Sequence, residues 1–187
     1  MVKINTCVLI SGYGSNLKSL INKSREYNFP AKIKLVISDN LKAKGIYHAR
    51  KNSIPFYIIN TKNRNYDHEM LKQIKRYNIS LICLAGYMKI IPERFINQYK
   101  KKIINIHPSL LPKYKGLKTY ERVMKNNEIR TGCTVHYVNK QLDSGKIILQ
   151  KRFYINENDN VQSLKNKTQS LEHKAFPEAI IQIFRYS

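Results

Sequence analysis

The sequence predicts an α/β protein with a doubly wound, mostly parallel sheet flanked by helices and an antiparallel β extension around residues 131–155. Two observations support this fold class. Short apolar runs alternate with segments of helical period along the chain, which is the pattern of βαβ units. Runs such as residues 81–85 are continuously apolar, and they suit parallel strands that are covered on both faces. Ligands of such a sheet bind beyond the carboxyl ends of its strands.

Each element follows from a local pattern. The strand predicted at residues 4–11 is apolar at its centre, and Leu17, Leu20 and Ile21 give the helix at 16–27 an apolar face. Ile33 and Leu35 alternate with lysines in the strand at 32–38. The other predicted strands are 55–59, 80–85 and 102–106, and the other helices are 43–52, 66–77, 93–99 and 119–125.

The last part of the chain has a different pattern. Two β segments, residues 131–138 and 146–154, flank a turn that contains Asp143, and a long helix follows at 161–184. Pro177 lies inside that helix, where it removes a hydrogen bond and clashes with the carbonyl of His173, so a kink or break is expected there. Because no repeat or linker divides the 187 residues, a single domain is expected.

Composition limits the functional class. The chain has Lys+Arg 34 against Asp+Glu 12, a net charge of +22, but the basic residues are scattered and residues 100–102 form the only run. The sequence has no basic tail, zinc finger or aromatic-basic sheet pattern, so we expect no specific nucleic-acid partner and a general attraction for anions. No apolar run approaches the length needed to cross a bilayer, which predicts a cytoplasmic protein without a membrane partner.

The cysteines indicate neither a disulfide framework nor a metal site. Cys7, Cys83 and Cys133 lie far apart in apolar runs, and none has the spacing of a metal ligand set. They are expected to be buried free thiols, and no metal is expected.

A glycine-containing turn joins the first predicted strand to the first helix. Gly12 and Gly14 let the backbone direct its N–H groups toward a ligand, and Ser15 or Asn16 could cap a helix whose N-terminus favours an anion. The turn is a candidate phosphate site, with an ordinary β-to-α turn as the alternative. The third glycine of a dinucleotide fingerprint and the Lys-Ser/Thr pair of a triphosphate loop are both absent.

A second candidate follows the fourth predicted strand. Gly86 permits close approach of the backbone, and Met88, Ile90 and Ile91 could line an apolar slot for a flat heteroaromatic ligand. The alternative is that these side chains belong to the core.

Asn105, His107 and Asp143 supply an amide donor, an imidazole and a carboxylate. Asn105 and His107 are two residues apart on a predicted strand, so their side chains point the same way. Pro108 and Pro112 follow the strand and are expected to expose both groups at its tip. The trio could stabilise an oxyanion and move protons at an acyl carbon, whereas a lone histidine there would be a loop or capping residue. No serine or cysteine sits in a nucleophile elbow, so group transfer would be direct.

Six spaced motifs together resemble the phosphoribosylglycinamide formyltransferases, the folate-dependent enzymes of purine synthesis. The resemblance runs from about residue 3 to about residue 180. The motifs are Ser11-Gly12-x-Gly14-Ser15-Asn16, Leu84-Ala85-Gly86-Tyr87-Met88, Asn105-Ile106-His107-Pro108-Ser109-Leu110-Leu111-Pro112-Lys113-Tyr114, Gly132-x-Thr134-Val135-His136, Leu142-Asp143-x-Gly145 and Thr168-Gln169-x-x-Glu172-His173. This resemblance implies a formyltransferase fold with a phosphate-binding half, about residues 1–100, and a catalytic and folate-binding half, about residues 101–187.

The resemblance also implies an activity, with roles for individual residues. The primary amine of glycinamide ribonucleotide would attack the formyl carbon of 10-formyltetrahydrofolate, the co-substrate, and form a tetrahedral oxyanion. Asn105 would donate to that oxygen, His107 as imidazolium would stabilise it, and Asp143 would hold His107 and help to move the proton. The implied substrate-binding residues are Gly12, Tyr13, Gly14, Ser15, Asn16, Gln169 and Glu172. The implied folate-binding residues are Arg64, Met88, Lys89, Ile90, Ile91, Asn139, Lys140, Gln141, Leu142 and Asp143. A cis Leu111-Pro112 bond and a monomer or weak homodimer are also expected.

Three positions depart from the family pattern, and two other functions remain open. Tyr13 replaces a small or polar residue, Lys89 replaces the usual arginine and Lys115 replaces a common proline. A formyltetrahydrofolate hydrolase or a methionyl-tRNA formyltransferase could share the trio, but each normally has a further domain for which 187 residues leave no room. A basic nucleic-acid-binding module is the alternative that is not an enzyme.

Overall fold

The structure is a computed structural model that describes residues 2–185. Within these residues the strands form one seven-stranded sheet in the order β3-β2-β1-β4-β5-β6-β7. The chain divides after Ile104 into two compact units, and strand β5 (Lys102–His107) runs through the division. The predicted α/β class, with a mostly parallel sheet, helices between the strands and an antiparallel extension, is confirmed.

The first unit contains the parallel strands. β1 (Ile4–Ile10) pairs in parallel with β2 (Ala31–Ser38) and with β4 (Leu81–Leu84), and β2 pairs with β3 (Phe56–Ile58). All four residues of β4 are buried, as its continuous apolar run predicts. The helices of this unit are α1 (Ser15–Ser24), α2 (Ile46–Lys51), α3 (Tyr66–Arg76) and α4 (Glu93–Gln98).

The second unit contains the antiparallel extension. β6 (Arg130–Tyr137) and β7 (Ile147–Tyr154) pair in antiparallel fashion. Helix α6 (Val161–Phe184) packs on both strands and on α5 (Thr119–Lys125). These pairings place the turn between β6 and β7, which carries Asp143, at one end of the extension.

The main differences from the predicted helices lie at the end of α1, at the start of α2 and inside α6. Helix α1 ends at Ser24 because the N–H groups of Arg25 and Glu26 turn back to Asn22 and Lys23. Helix α2 begins at Ile46, since the Asn40 side chain accepts from the Lys42 N–H and holds the preceding residues in a turn. The predicted break in α6 is wrong, because the helix continues through Pro177. Pro177 is buried between apolar neighbours on α6, and that packing offsets the lost hydrogen bond, which costs about 3 kcal/mol in an exposed helix.

Two local predictions are confirmed. All three cysteines are buried free thiols, and burial, with a smaller contribution from Glu172, raises the pKa of Cys133 to about 12. The Leu111-Pro112 peptide bond is cis.

Among residues 2–185, no helix is both long enough and apolar enough to cross a membrane.

Candidate active site

The second unit brings the three predicted catalytic groups together. Asn105 and His107 project from β5, and Asp143 reaches them from the turn between β6 and β7. The Asp143 carboxylate lies between the other two groups: His107 Nδ1 is 3.3 Å from Oδ2, and Asn105 Nδ2 is 3.3 Å from Oδ1. The two-residue spacing on a strand accounts for Asn105 and His107 facing the same side.

The turn geometry sets the position of Asp143. Its backbone is left-handed, with φ 46°, and its Oδ2 accepts from the Gly116 N–H at 2.9 Å. Gly145 allows the turn to close, because a Cβ there would lie 1.7 Å from the carbonyl oxygen of Tyr137. Asp143 is therefore held from two sides before any ligand binds.

His107 is buried, and the prediction that it is exposed at the strand tip is wrong. Only 5% of its surface is accessible. Its Nε2 lies 2.8 Å from the carbonyl oxygen of Tyr114, in the loop after the cis proline. A carbonyl oxygen can only accept, so Nε2 carries a proton and Nδ1 faces the Asp143 carboxylate. The loop that follows β5 thus covers the strand tip and also orients the imidazole.

Burial and charge act in opposite directions on this pair. Burial is the largest influence on the pKa of His107 and lowers it below 6.5, while the Asp143 carboxylate and the Tyr114 carbonyl raise it by less. Burial raises the pKa of Asp143, but His136, the Gly116 N–H and His107 together outweigh it and hold that pKa below 3.8. Burial therefore opposes the imidazolium that the resemblance implies, while the Asp143 carboxylate and the Tyr114 carbonyl favour it.

His136 belongs to the same cluster, and the sequence reasoning assigned it no role. It is buried on β6, with Nδ1 2.8 Å from the carbonyl oxygen of Tyr137 and Nε2 3.2 Å from Asn105 Nδ2. Nδ1 carries a proton because a carbonyl oxygen can only accept, and Nε2 also lies 3.6 Å from Asp143 Oδ1. The Asn105 amide nitrogen thus lies within hydrogen-bond distance of both His136 and Asp143. The available signal was the position of His136 in one of the six motifs.

The glycine turn of the first unit has the backbone geometry of an anion loop, but its cap differs from the prediction. Gly14 is the N-cap of α1 with φ 73°, and Ser15 is already helical, so the N-cap position carries no side chain. A Cβ on Gly14 would lie 2.6 Å from the Cα of Gly45, and the Gly45 N–H donates to the Gly12 carbonyl at 2.9 Å. Both the positive φ and the close approach therefore require glycine at position 14.

Tyr13, the unusual residue of this turn, points outward. It is 70% exposed, and Lys44 Nζ lies 4.8 Å from its ring centroid. The cation–π contact holds a positive charge beside the turn.

Ser11 links the glycine turn to the segment after β4. Its hydroxyl donates to Asp39 Oδ1 at 2.5 Å and accepts from the Met88 N–H at 2.8 Å. Met88 and Ile90 are 64% and 69% exposed, as a ligand slot requires, and Lys89 is exposed as well. Ile91 is 6% exposed and forms part of the core of the first unit. The exposure of Met88 and Ile90 is compatible with the ligand slot, whereas the burial of Ile91 fits the alternative that it belongs to the core.

The remaining predicted binding residues lie as follows. Arg64 is exposed, and Arg94 fixes its loop by bonding to the Arg64 carbonyl and to Asp67. Glu172 is buried on α6 and Gln169 is partly buried there. Residues 139–142 are exposed at the β6–β7 turn. No group of His, Cys, Asp and Glu suited to a metal ion occurs within residues 2–185.

Known proteins are similar in sequence to this chain over most of its length. The formyl transferase family matches residues 4–180. The phosphoribosylglycinamide formyltransferase of Haemophilus influenzae is 40% identical over 177 residues, which are 92% of this chain and 84% of that protein. The human trifunctional purine biosynthetic protein adenosine-3 is 40% identical over 182 residues, or 95% of this chain, but the chain spans only 18% of that protein.

Solved structures agree with the sequence matches. The crystal structure of phosphoribosylglycinamide formyltransferase from Anaplasma phagocytophilum superposes with a TM-score of 0.90 at 37% identity, covering 95% of this chain and 85% of that one. The corresponding structure from Bacillus halodurans has a TM-score of 0.93 at 31% identity, with 97% and 96% covered. The match over residues 4–180, together with relatives covered over most of their own length, means that the chain belongs to the formyl transferase family, among the phosphoribosylglycinamide formyltransferases.

Proposed function

We propose that this protein transfers the formyl group of 10-formyltetrahydrofolate to the primary amine of glycinamide ribonucleotide, a step of purine biosynthesis. The observation that carries the proposal is the cluster of the half-buried Asn105 with the buried His107 and Asp143, in which 3.3 Å separates the carboxylate from each of its two neighbours. An amide donor, a proton acceptor and a fixed carboxylate are the groups that acyl transfer to an amine requires. Membership of the formyl transferase family supports the reaction class.

Asn105 would stabilise the oxyanion. When the amine attacks the formyl carbon, a C–N bond forms and the carbonyl electron pair moves onto oxygen. One Asn105 N–H would donate to that oxygen in place of its 3.3 Å contact with Asp143, while His136 keeps the other N–H in position. A donor aimed in advance at the developing charge needs no reorganisation during the reaction.

His107 and Asp143 would move the proton. The attacking amine carries an extra proton once the C–N bond has formed, and the neutral His107 would accept it on Nδ1. The resulting imidazolium lies 3.3 Å from the Asp143 carboxylate and donates through Nε2 to Tyr114, so both of its N–H groups are satisfied. Return of this proton to the folate nitrogen accompanies cleavage of the bond between that nitrogen and the formyl carbon.

The binding residues are proposed from the family resemblance together with their local geometry. Residues 12–16 would receive the substrate phosphate, because the turn has a left-handed glycine at the N-terminus of a helix. Glu172 and Gln169 would face the glycinamide and the ribose. The folate would bind through residues 139–143 and the exposed segment that includes Met88, Lys89 and Ile90. Arg64 would lie near the folate. Neither a metal nor a nucleic acid forms part of the proposal.

The test is a formyl-transfer assay with the purified full chain. We expect conversion of 10-formyltetrahydrofolate to tetrahydrofolate only when glycinamide ribonucleotide is present. Conversion with water alone would instead indicate a hydrolase, and conversion that requires methionyl-tRNA would indicate the tRNA enzyme. Absence of turnover with all three acceptors, combined with salt-sensitive retention on DNA, would favour the nucleic-acid-binding alternative.

A further inference from the structure

A cavity in the second unit shares no residue with the predicted catalytic and binding sets. Its volume is about 560 Å³, within the range of about 300–1,000 Å³ that is usual for small-molecule sites. Its apolar wall consists of Leu110, Leu111 and Pro112. Its charged lining residues are the cations Lys113, Arg130 and Arg152 and the anion Glu128.

The strand register places both arginines on one face of the extension. Arg152 is paired with Gly132, and Arg130 lies two residues before Gly132 on β6, so the two side chains are diagonal neighbours. Gly132 separates them without a side chain of its own. Two guanidinium groups can therefore approach the same ligand from adjacent strands.

These arginines lack the partners that basic surface residues often have. Lys113 pairs with Glu128 at 2.7 Å, and the Tyr114 hydroxyl donates to the same Glu128 oxygen at 2.7 Å. That carboxylate is therefore already engaged. Arg130 helps to lower the pKa of Glu128, but neither arginine side chain makes a hydrogen bond or an ion pair within residues 2–185. Two unpaired cations beside one paired cation leave an excess of positive charge facing the cavity.

Hydrogen bonds fix part of the cavity lining to the sheet. Gln150 Nε2 donates to the Leu111 carbonyl at 2.9 Å and to Thr134 Oγ1 at 2.9 Å, and the Leu111 N–H donates to Thr134 Oγ1 at 3.1 Å. These bonds fasten the apolar wall to the sheet. A ligand would meet a preformed surface, which reduces the entropy that binding costs.

We propose that this cavity is a second anion site that binds a sugar phosphate, with Arg130 and Arg152 holding the phosphate and residues 110–112 covering the sugar. The planar fork of arginine matches two oxygens of a phosphate, and a phosphate dianion can engage two forks at once. A single carboxylate has too few oxygens for two bidentate contacts. The apolar wall suits the less polar face of a sugar ring.

Ribose 5-phosphate is the probe for the test, with ribose and citrate as comparisons. Its binding to the full chain is followed by amide chemical shifts in ¹H–¹⁵N spectra without folate, so the result does not depend on the proposed function. We expect saturable shifts at the amides of residues 130 and 152. The double substitution Arg130→Gln and Arg152→Gln should weaken binding there by at least about tenfold.

A matched control separates the site from the general charge of the protein. The pair Arg25→Gln and Arg76→Gln removes the same number of charges from exposed arginines of the first unit and should leave the dissociation constant unchanged. Equal weakening by both double variants would overturn the proposal, as would shifts confined to residues 12–16 or equal binding of ribose. If citrate bound as tightly as ribose 5-phosphate, the site would not be specific for a sugar phosphate, and that part of the proposal would be overturned. If the double variant fails to fold, the single variant Arg152→Gln is tested instead, and it should weaken ribose 5-phosphate binding by at least about threefold.

Discussion

Replacing Asp143 with asparagine tests the charge arrangement of the site with little change in shape. The carboxylate now accepts from the Gly116 N–H at 2.9 Å and lies 3.3 Å from both His107 Nδ1 and Asn105 Nδ2. An asparagine offers one oxygen and one NH₂ group. If its oxygen keeps the Gly116 bond, its NH₂ group faces the NH₂ group of Asn105, and the imidazolium of His107 loses its counter-charge.

The size of the effect follows from the 3.3 Å separation between His107 Nδ1 and Asp143 Oδ2. At an effective dielectric constant of about 20, two unit charges at that distance attract by about 5 kcal/mol, an upper limit because desolvation opposes it. Opposite charges this close commonly shift a pKa by about 1–3 units. The carboxylate raises the pKa of His107, so removing it should lower that pKa below its value in the unsubstituted protein.

Two measurements check the reasoning. The pKa of His107 is read from ¹H–¹⁵N spectra of its imidazole, and formyl transfer is measured as a function of pH. Transfer requires the neutral ring, so kcat/KM should fall as pH drops through the His107 pKa, and this acid limb should move to lower pH in Asp143→Asn. Turnover on the plateau should decrease about 10²- to 10⁴-fold, because the imidazolium that forms during the reaction is no longer stabilised.

The control is Asp159→Asn, the same chemical change at a carboxylate outside the cluster. It should leave both the His107 pKa and turnover unchanged. An unaltered His107 pKa in Asp143→Asn would refute the proposed electrostatic coupling. If Asp143→Asn retained turnover within about threefold of the unsubstituted protein, Asp143 would have no part in the proton transfer.

Four further outcomes are expected. His107→Ala should lower turnover by at least about a hundredfold while far-UV circular dichroism is unchanged, and near-normal activity would exclude it from the mechanism. His136→Phe should lower kcat about tenfold without raising either KM, because the Asn105 amide loses the partner that positions it; a change confined to KM would contradict this. Gly14→Ala should destabilise the fold by about 2–4 kcal/mol in urea unfolding. Lys167 holds the pKa of Asp159 at about 2, below 3.8, so Asp159→Asn should lower the melting temperature at pH 7 but not near pH 2. A deficit of the same size at both pH values would argue against that ion pair.

The fold class was accessible from sequence because it depends on local patterns. A continuously apolar run such as the one that forms β4 can be buried on both faces only in a covered parallel sheet. Errors occurred where side chains or packing override such patterns. The Asn40 side chain delays the start of α2, and burial of Pro177 keeps α6 continuous. Neither effect is visible in hydrophobic periodicity, because the first depends on the hydrogen-bond partner of the Asn40 side chain and the second on the residues that pack around Pro177.

The sequence by itself also determined which groups the site contains. The two-residue spacing of Asn105 and His107 requires that they share one face of a strand, and the six motifs identified the family. The tertiary structure decided how these groups meet. Asp143 lies 36 residues beyond His107, and only the β6–β7 turn brings it to 3.3 Å. Burial under the Tyr114 loop lowers the pKa of His107, and the neighbouring strand supplies His136 as a partner for the Asn105 amide. Strand spacing is a local property, whereas pKa values and hydrogen-bond partners depend on every segment that folds around a group.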